Sequence, residues 1–293
     1  MLGLRIIALA LLFAATPALA HGEHEGPVGW TLDPVLIVPL GLALIIYLVG
    51  WSRLSKRASA AVRPAAFLVG WTVLTLALTS PLHEAGERSF TLHMIEHELI
   101  MLVATLFLAA SGAGGVLAWG LPRPLRLALA GSWKSPLQVL WRRLTEPVTA
   151  TVVQGVVMWA WHAPILFDRA LDSVGWHIAQ HACFFLSALL FWWAMLHPRD
   201  RGSGYGVSAA CLFATSLIGG ALGALMSLSS SPWYADYAAM GVTGIGLEPV
   251  TDQRLAGLIM WIPGGAFHGI AALACVYKWL KAAEGGRAAL PVH

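Results

Sequence analysis

The chain has 293 residues, of which 58% are hydrophobic and only 11% are charged, and its formal net charge is +3. A soluble domain normally carries about 25% charged residues, so this composition excludes a protein whose whole surface faces water. Thirty glycines and fourteen tryptophans fit a membrane protein, because glycine is frequent in membrane helices and tryptophan favours the membrane interface. A lipid bilayer is therefore the expected surrounding, and no nucleic-acid partner is expected.

The first 20 residues have the pattern of a secretory signal peptide. Arg5 provides a positively charged start, an apolar stretch follows, and Ala18–Ala20 has the small-x-small pattern of a cleavage site. Cleavage would make His21 the first residue of a short periplasmic tail over residues 21–31. An uncleaved anchor helix is the alternative.

Seven further apolar segments are each long enough to cross a bilayer, which takes about 20 residues. We predict them to be helices, because lipid offers backbone polar groups no partner outside their own segment. The predicted spans are Leu32–Gly50, Pro64–Ser80, Leu92–Trp119, Pro147–Leu166, Trp176–Leu196, Tyr205–Leu228 and Arg254–Leu280. Together they predict an all-α, seven-transmembrane-helix bundle over residues 32–280, with a tail over residues 281–293.

The positive charges between the spans predict the orientation. With seven spans, most loop and tail Lys and Arg residues fall on one side, and only Arg88, Arg169 and Arg254 fall on the other. The positive-inside rule makes the first side cytoplasmic. The N-terminus is then outside and the C-terminal tail is cytoplasmic.

The two longest loops differ in composition. Leu121–Pro147, on the cytoplasmic side, has a pattern of Leu, Trp and Arg that is typical of a helix lying at the membrane interface. Ser229–Gln253, on the outer side, is rich in Ser, Pro and Gly and is expected to form turns that cover the outer face.

Histidines are concentrated at the predicted outer end of the bundle. Two pairs with i, i+4 spacing begin the third and fifth spans, His93 with His97 and His177 with His181. This spacing places both imidazoles of a pair on one helix face, about 6 Å apart along the axis, so that both can bind one metal ion through bonds of about 2 Å. If the third and fifth helices are neighbours, four imidazoles converge.

Further donors lie near this candidate metal site. His162 lies near the outer end of the fourth span, and Met101 follows His97 by four residues. A thioether together with imidazoles suits copper, especially Cu(I), whereas zinc is compatible with histidine but gains less from methionine. Copper is therefore the expected metal, and zinc is the alternative.

Other polar and sulfur-containing residues lie around this candidate site or deeper in the spans. The acidic candidates for balancing the charge of the metal or orienting the imidazoles are Glu96, Glu98 and Asp252. His83 is predicted to lie in a solvent-facing loop, and His268 lies deeper, within the seventh span. Neither a disulfide nor a thiolate metal site is expected, because the three cysteines lie in apolar segments without CxxC spacing: Cys183, Cys211 and Cys275.

Several motifs follow one another in order along the predicted helices. The most specific are FTLHMIEH with His93 and His97, WHAPILFDRAL with His162, HIAQH with His177 and His181, and DQRLAGLIMWIPGG from Asp252. From Leu32 to Leu280 the chain resembles the CtaG-like cytochrome c oxidase assembly factors of bacteria. It departs from their pattern at His83, where aspartate is more usual, and at Glu96 and His268, which leaves the partner oxidase open.

The resemblance implies a seven-helix bundle in the bacterial cytoplasmic (inner) membrane that helps to mature a haem-copper oxidase. Its expected partners are cytochrome c oxidase subunits, with periplasmic copper chaperones as candidate metal donors. The leading hypothesis is a non-enzymatic factor that binds copper and supplies it to the oxidase. Its candidate ligands are His93, His97, His177 and His181, with His162 and Met101 as additions.

Three other classes of protein remain open. A zinc-dependent intramembrane hydrolase is the main alternative, because histidine-bound zinc activates water. A b-type haem protein is less favoured, because two histidines of one i, i+4 pair cannot take opposite axial positions on one iron. A copper transporter ranks lowest, because only His268 and Cys275 hint at a path deeper in the membrane.

Overall fold

The computed structural model describes residues 27–54, 63–132, 136–200 and 204–288, and every regular element within these ranges is helical. The all-α prediction is therefore confirmed for the described part of the chain. Its helices are α1 (Pro34–Leu54), α2 (Pro64–Thr79), α3 (Pro81–Arg88), α4 (Phe90–Glu98), α5 (Thr105–Ala110), α6 (Ala113–Gly120), α7 (Arg123–Ser132), α8 (Pro136–Leu144), α9 (Pro147–Trp161), α10 (Pro164–Asp172), α11 (Val174–Leu196), α12 (Gly204–Leu228), α13 (Ala235–Ala239) and α14 (Pro249–Ala288). A π-helical turn over Leu99–Ala104 joins α4 to α5. The predicted signal peptide, His21 and the last five residues of the tail lie outside the described residues.

Five to seven segments in the described residues are suited to cross a membrane. Five are long and apolar enough alone, namely α1, the α4–α5 segment, α11, α12 and α14. Two bent pairs raise the number to seven, because α2 continues into α3 with a bend of 48° and α9 continues into α10 with a bend of 69°. The chain is thus a multi-pass membrane protein.

Proline causes both bends. Pro81 and Pro164 each occupy the start of the second helix of their pair, where a missing N–H has no cost. The residue before a proline is pushed out of the helical region, and Ser80 and Ala163 accordingly have ψ angles of 168° and 130°. The fourth predicted span is therefore not one continuous helix to Leu166, because the helix ends at Trp161.

The third predicted span is also divided. It was predicted as one helix from Leu92 to Trp119, but it ends at Ala110 and a separate helix begins at Ala113. Gly112 between them has a φ of 66°, a left-handed conformation that glycine adopts without steric cost. In the loop after α6, the structure has two short helices, α7 and α8, where one interfacial helix was expected.

The helices with the two histidine pairs are neighbours. The indole of Trp192 in α11 donates its N–H to the backbone oxygen of Met101 in the π-helical turn, at 2.9 Å. Phe184 and Ala188 of α11 pack with Met101 in one apolar cluster. This packing brings the histidine-bearing ends of α4 and α11 together, as the sequence hypothesis required.

A buried carboxylate fixes the start of α4. Asp252 accepts hydrogen bonds from the backbone N–H of Phe90 at 2.7 Å and of Thr91 at 3.3 Å, and from the Ser89 hydroxyl at 3.0 Å. The first amides of a helix have no partner within the helix. Because Asp252 belongs to the first turn of α14, its carboxylate joins the starts of two helices close to His93.

Replacing Asp252 by alanine is expected to lower the free energy of unfolding by about 1–3 kcal/mol, because buried amides lose their acceptor. Thermal unfolding of the purified protein in detergent, followed by circular dichroism, measures this loss. Asp252→Asn keeps one acceptor oxygen and should recover part of the stability, while Glu284→Ala on the exposed end of α14 is the control. A melting temperature unchanged by Asp252→Ala would contradict the capping role.

Two glycines let α12 and α14 touch through their backbones. A Cβ atom on Gly223 would lie 2.6 Å from the Gly257 oxygen, and one on Gly257 would lie 2.5 Å from the Gly223 oxygen. Small residues at such crossings are common between membrane helices, because they allow close backbone approach. Gly219, which shares the small-xxx-small pattern with Gly223, lies instead against the thioether of Met158.

Candidate metal centre

Imidazole rings from four regions of the chain converge at one end of the bundle. The ring centroids are 4.3 Å apart for His93 and His97, and 4.5 Å apart for His177 and His181. Between the two helices, His97 lies 5.2 Å from His181 and His93 lies 5.5 Å from His177. His162, at the end of α9, lies 6.3 Å from His97. These five residues are only 1–7% exposed.

His83 is a sixth member of this group, and the prediction that it faces solvent was wrong. Its ring lies 5.2 Å from that of His177, and its side chain is 12% exposed. It is held there by α3, which begins with Ser80 as the cap and Pro81 at the first helical position. Ser-Pro is a helix-start signal that the sequence contained. We call the six residues the histidine cluster: His83, His93, His97, His162, His177 and His181.

Two overlapping groups in the cluster have the geometry of a metal site. In each, one nitrogen per ring lies within 4.8 Å of the others. The α3 triad consists of His83, His177 and His181, and the α4 triad consists of His93, His97 and His181. Two nitrogens bound to one ion at about 2 Å are at most about 4 Å apart. Either triad could therefore close on an ion with small side-chain movements, and His181 belongs to both.

Hydrogen bonds to protein acceptors fix the tautomer of two rings. The Nδ1 atom of His83 lies 2.7 Å from Oε1 of Glu96, and Nδ1 of His162 lies 2.6 Å from the Met158 carbonyl oxygen. Because a carbonyl oxygen and an ionised carboxylate only accept, Nδ1 carries the proton in His162, and also in His83 when Glu96 is ionised. The lone pair is then on Nε2, as in histidines that bind a metal through one nitrogen and donate from the other.

Tyr237 fixes the tautomer of a third ring, that of His93. Burial raises the pKa of Tyr237 well above its ordinary value, so the hydroxyl keeps its proton and donates it to the Gly86 oxygen at 2.6 Å. The Nδ1 atom of His93 lies 3.2 Å from the same hydroxyl oxygen and must therefore donate to it. Nε2 of His93 is again left with a free lone pair.

Several ring nitrogens in the cluster have no hydrogen-bond partner among the described residues. Buried polar atoms are normally paired, and each unpaired one costs about 1–3 kcal/mol. The unpaired atoms are Nε2 of His93, His162 and His181 and both ring nitrogens of His97. Four histidines with this property in one place fit a metal ligand set better than a packed core.

Glu96 is an acidic residue in contact with the rings of the cluster. It is fully buried, and its Oε1 lies 2.7 Å from Nδ1 of His83 and 3.6 Å from Nε2 of His181. A buried carboxylate of this kind can offset the charge of a bound cation. The other two acidic candidates act elsewhere, because Asp252 caps α4 and Glu98 lines a separate cavity.

The loop between α12 and α14 packs against the cluster. Tyr234 and Tyr237 are 1% and 3% exposed, and the Tyr234 hydroxyl donates to the backbone oxygen of His162 at 3.0 Å. The loop is anchored by Gln253, whose Oε1 accepts from the Trp233 amide at 2.6 Å.

An open cavity of about 440 Å³ leads to one edge of the cluster, at His177. Three acidic residues border it, and each can attract a cation: Glu87, Asp172 and Asp236. The cluster thus combines a tight group of imidazoles with an acidic approach.

Met101 was the remaining predicted ligand. It packs in an apolar group with Trp161 and Phe184. It also lines a cavity of its own, together with Met158 and Glu98. The three cysteines are free thiols.

Comparison with known proteins identifies the family. The family model of the cytochrome c oxidase caa3 assembly factors matches residues 45–282, which include the whole cluster. The uncharacterized protein Mb0105 of Mycobacterium bovis and the uncharacterized protein MT0111 of Mycobacterium tuberculosis are each 26% identical to the chain over 253 residues. This similarity covers 79% of the chain but only 36% of each relative, so the chain spans about a third of their length. No solved structure matches the chain. The family match extends over most of the chain and over every helix that holds a histidine of the cluster, and the chain belongs to the cytochrome c oxidase caa3 assembly factor family.

Proposed function

We propose that this assembly factor binds copper in the histidine cluster and passes it to an oxidase subunit. The observation that carries the proposal is the group of buried, unpaired imidazole nitrogens on His93, His97, His162 and His181. Family membership supports the oxidase as the recipient, and imidazole ligands suit copper among the first-row metals.

Glu96 supports a cation in the cluster. Its carboxyl group lies 2.7 Å from Nδ1 of His83 and 3.6 Å from Nε2 of His181. An ionised carboxylate at this place would offset the charge of a bound copper ion, which is costly to bury away from water without a partner.

The shared ligand His181 suits a protein that gives its metal away. An ion that moved from the α3 triad to the α4 triad would stay beside His181, which belongs to both. Imidazoles without thiolates hold copper less firmly than paired cysteines do, which favours onward transfer.

The proposed membrane topology has seven spans, with the two bent pairs each counted as one. The histidine cluster is then at the periplasmic face of the bacterial inner membrane, as the positive-inside rule predicts. The acidic cavity beside His177 faces the same side. Periplasmic copper chaperones are the proposed donors and oxidase subunits the proposed recipients.

A copper titration of the purified chain in detergent tests the proposal. Cu(I) is added without oxygen in competition with a coloured chelator, and we expect at least one ion per chain to be bound more tightly than Zn²⁺. The variant His197→Ala serves as a control and should bind as much Cu(I) as the wild type. His197 follows α11 at the end away from the cluster, and its ring stacks on Trp193 with centroids 4.1 Å apart. A chain that binds no Cu(I) against the chelator would overturn the proposal.

A zinc hydrolase is the second candidate, favoured by the α4 triad next to Glu96. Three histidines can hold zinc with a water in the fourth position, and a nearby carboxylate can accept a proton from that water. Metal analysis of the chain as purified separates the two candidates. Retained zinc together with hydrolysis of a lipid amide or ester would support the enzyme.

A further inference from the structure

A small second cavity lies next to the histidine cluster, between the α4–π segment, α9, α12 and α14. Its volume is about 30 Å³, more than the roughly 10–15 Å³ that one water molecule needs on the same measure. The cavity is therefore large enough for a single ion. Its lining includes three thioethers, a carboxylate, an amide and an imidazole, from Met101, Met158, Met260, Glu98, Gln154 and His268.

Two polar groups at this cavity have no hydrogen-bond partner among the described residues. They are Oε2 of Glu98 and Oε1 of Gln154, both buried atoms. Gln154 is only 5% exposed as a whole residue. Gly264 lets α14 approach the carboxylate, since a Cβ atom there would lie 3.1 Å from Oε2 of Glu98. A buried carboxyl oxygen without a partner is costly, so a cation bound beside Oε2 would be stabilising.

The ring of His268 is held by two contacts and keeps one nitrogen free. Its Nδ1 donates to the Gly264 carbonyl oxygen at 2.8 Å, which leaves the lone pair on Nε2. The ring stacks on the indole of Trp192, with centroids 5.6 Å apart and planes 5° apart. A hydrogen bond and a stacked neighbour thus hold one tautomer and one orientation.

The backbone beside the cavity forms a π-helical turn, and side chains donate hydrogen bonds to a carbonyl oxygen of this turn. The π-helical turn begins directly after Glu98, and such turns in helices are frequent at functional sites. The carbonyl oxygen of Met101 in this turn accepts from the Thr105 hydroxyl at 2.6 Å and from the Trp192 indole at 2.9 Å. Met101 is therefore held in place by two donors.

We propose that this cavity is a second binding site for a single Cu(I) ion, with thioethers of Met101 and Met158, the His268 imidazole and the Glu98 carboxylate as its ligands. Thioethers select Cu(I) among biological metals. One carboxylate neutralises one monovalent charge, so the loaded cavity is neutral within the membrane. The site goes beyond the proposed function, because it does not depend on binding at the histidine cluster.

The two sites are adjacent in the structure. Glu98 follows His97 in the chain, and the Met158 carbonyl oxygen accepts from His162 at 2.6 Å. The two sites therefore share neighbouring residues of α4 and α9.

The test counts Cu(I) ions bound to the purified full chain without oxygen and examines them by X-ray absorption. We expect two ions in the wild type, with sulfur among the neighbours of copper. The variant M101L/M158L should bind one ion fewer and lose the sulfur signal. Exchange of buried Met for Leu conserves volume and costs less than about 1.5 kcal/mol, and Met195→Leu, which is fully buried in another apolar cluster, is the matched control.

A cluster variant separates this proposal from the proposed function. In H93Q/H181Q we expect one ion to remain, with sulfur ligands. If that ion remains while the wild type binds no ion at the cluster, the cavity site stands and the proposed function fails. If M101L/M158L binds as much Cu(I) as the wild type, or no sulfur lies next to copper in any form, the second site is overturned while the cluster proposal is unaffected.

Discussion

A variant in which His93, His97, His177 and His181 are all alanine is expected to bind no copper at the histidine cluster and to leave cells without active cytochrome c oxidase. The four substitutions remove every ligand of the α4 triad and leave only His83 of the α3 triad. Oxidase activity in membranes of cells that carry the variant as their only copy measures the effect, and the amount of variant in those membranes shows whether it is inserted. Wild-type oxidase activity with the variant would contradict copper supply by the cluster.

Single glutamine substitutions distinguish the loss of a ligand from a failure to fold, because glutamine is polar and has much of the volume of histidine. Because His181 belongs to both triads, His181→Gln should weaken Cu(I) binding by more than about 100-fold, beyond the effect usual for a supporting residue. His177→Gln and His93→Gln each remove a ligand from one triad only, so each should weaken Cu(I) binding less than His181→Gln does. Equal losses for all three substitutions would argue against a shared ligand.

Replacing Glu96 by glutamine is expected to weaken Cu(I) binding by about 10–100-fold, the range found when groups that support metal ligands are lost. The amide has nearly the same shape, but it no longer balances a cation. It also no longer requires a proton on Nδ1 of His83, which lies 2.7 Å from Oε1. Competition with the same chelator measures the change.

Glu84→Gln is the matched control for this substitution. Glu84 lies on α3 with His83, but its carboxylate accepts from the Gly29 amide at 2.7 Å instead of contacting the cluster. Its replacement should change Cu(I) affinity little. If Glu96→Gln binds Cu(I) as the wild type does, the carboxylate has no part in holding the ion.

Local spacing predicted the central part of the site. The i, i+4 pairs lie on one face of a helix whatever the rest of the fold does, so His93 with His97 and His177 with His181 followed from the sequence. Their meeting depended on α4 and α11 being neighbours, which only tertiary packing decides. The membrane helices themselves followed from apolar length, because lipid imposes that length on any span.

Other features were decided by contacts between segments distant in sequence. His83 joins the cluster because α2 bends by 48° into α3. A local sequence motif can predict that a bend occurs, but it does not predict the angle of the bend. Asp252 was predicted to act near the imidazoles, but its acceptor oxygens are taken by the first amides of α4. Met101 follows His97 by four residues, yet a π-helical turn starts between them, and its side chain lines the second cavity.

The glycine contact between α12 and α14 affects the geometry of the histidine cluster, although Gly257 itself has no atom that could bind a metal. Gly257 lies in the same helix as Asp252, whose carboxylate holds the start of α4. A side chain at Gly257 would push α14 away from α12 and carry that carboxylate with it. The close crossing of α12 and α14 thus sets the position of His93. Substitutions at the crossing should change the affinity for the ion, while the protein is still inserted into the membrane.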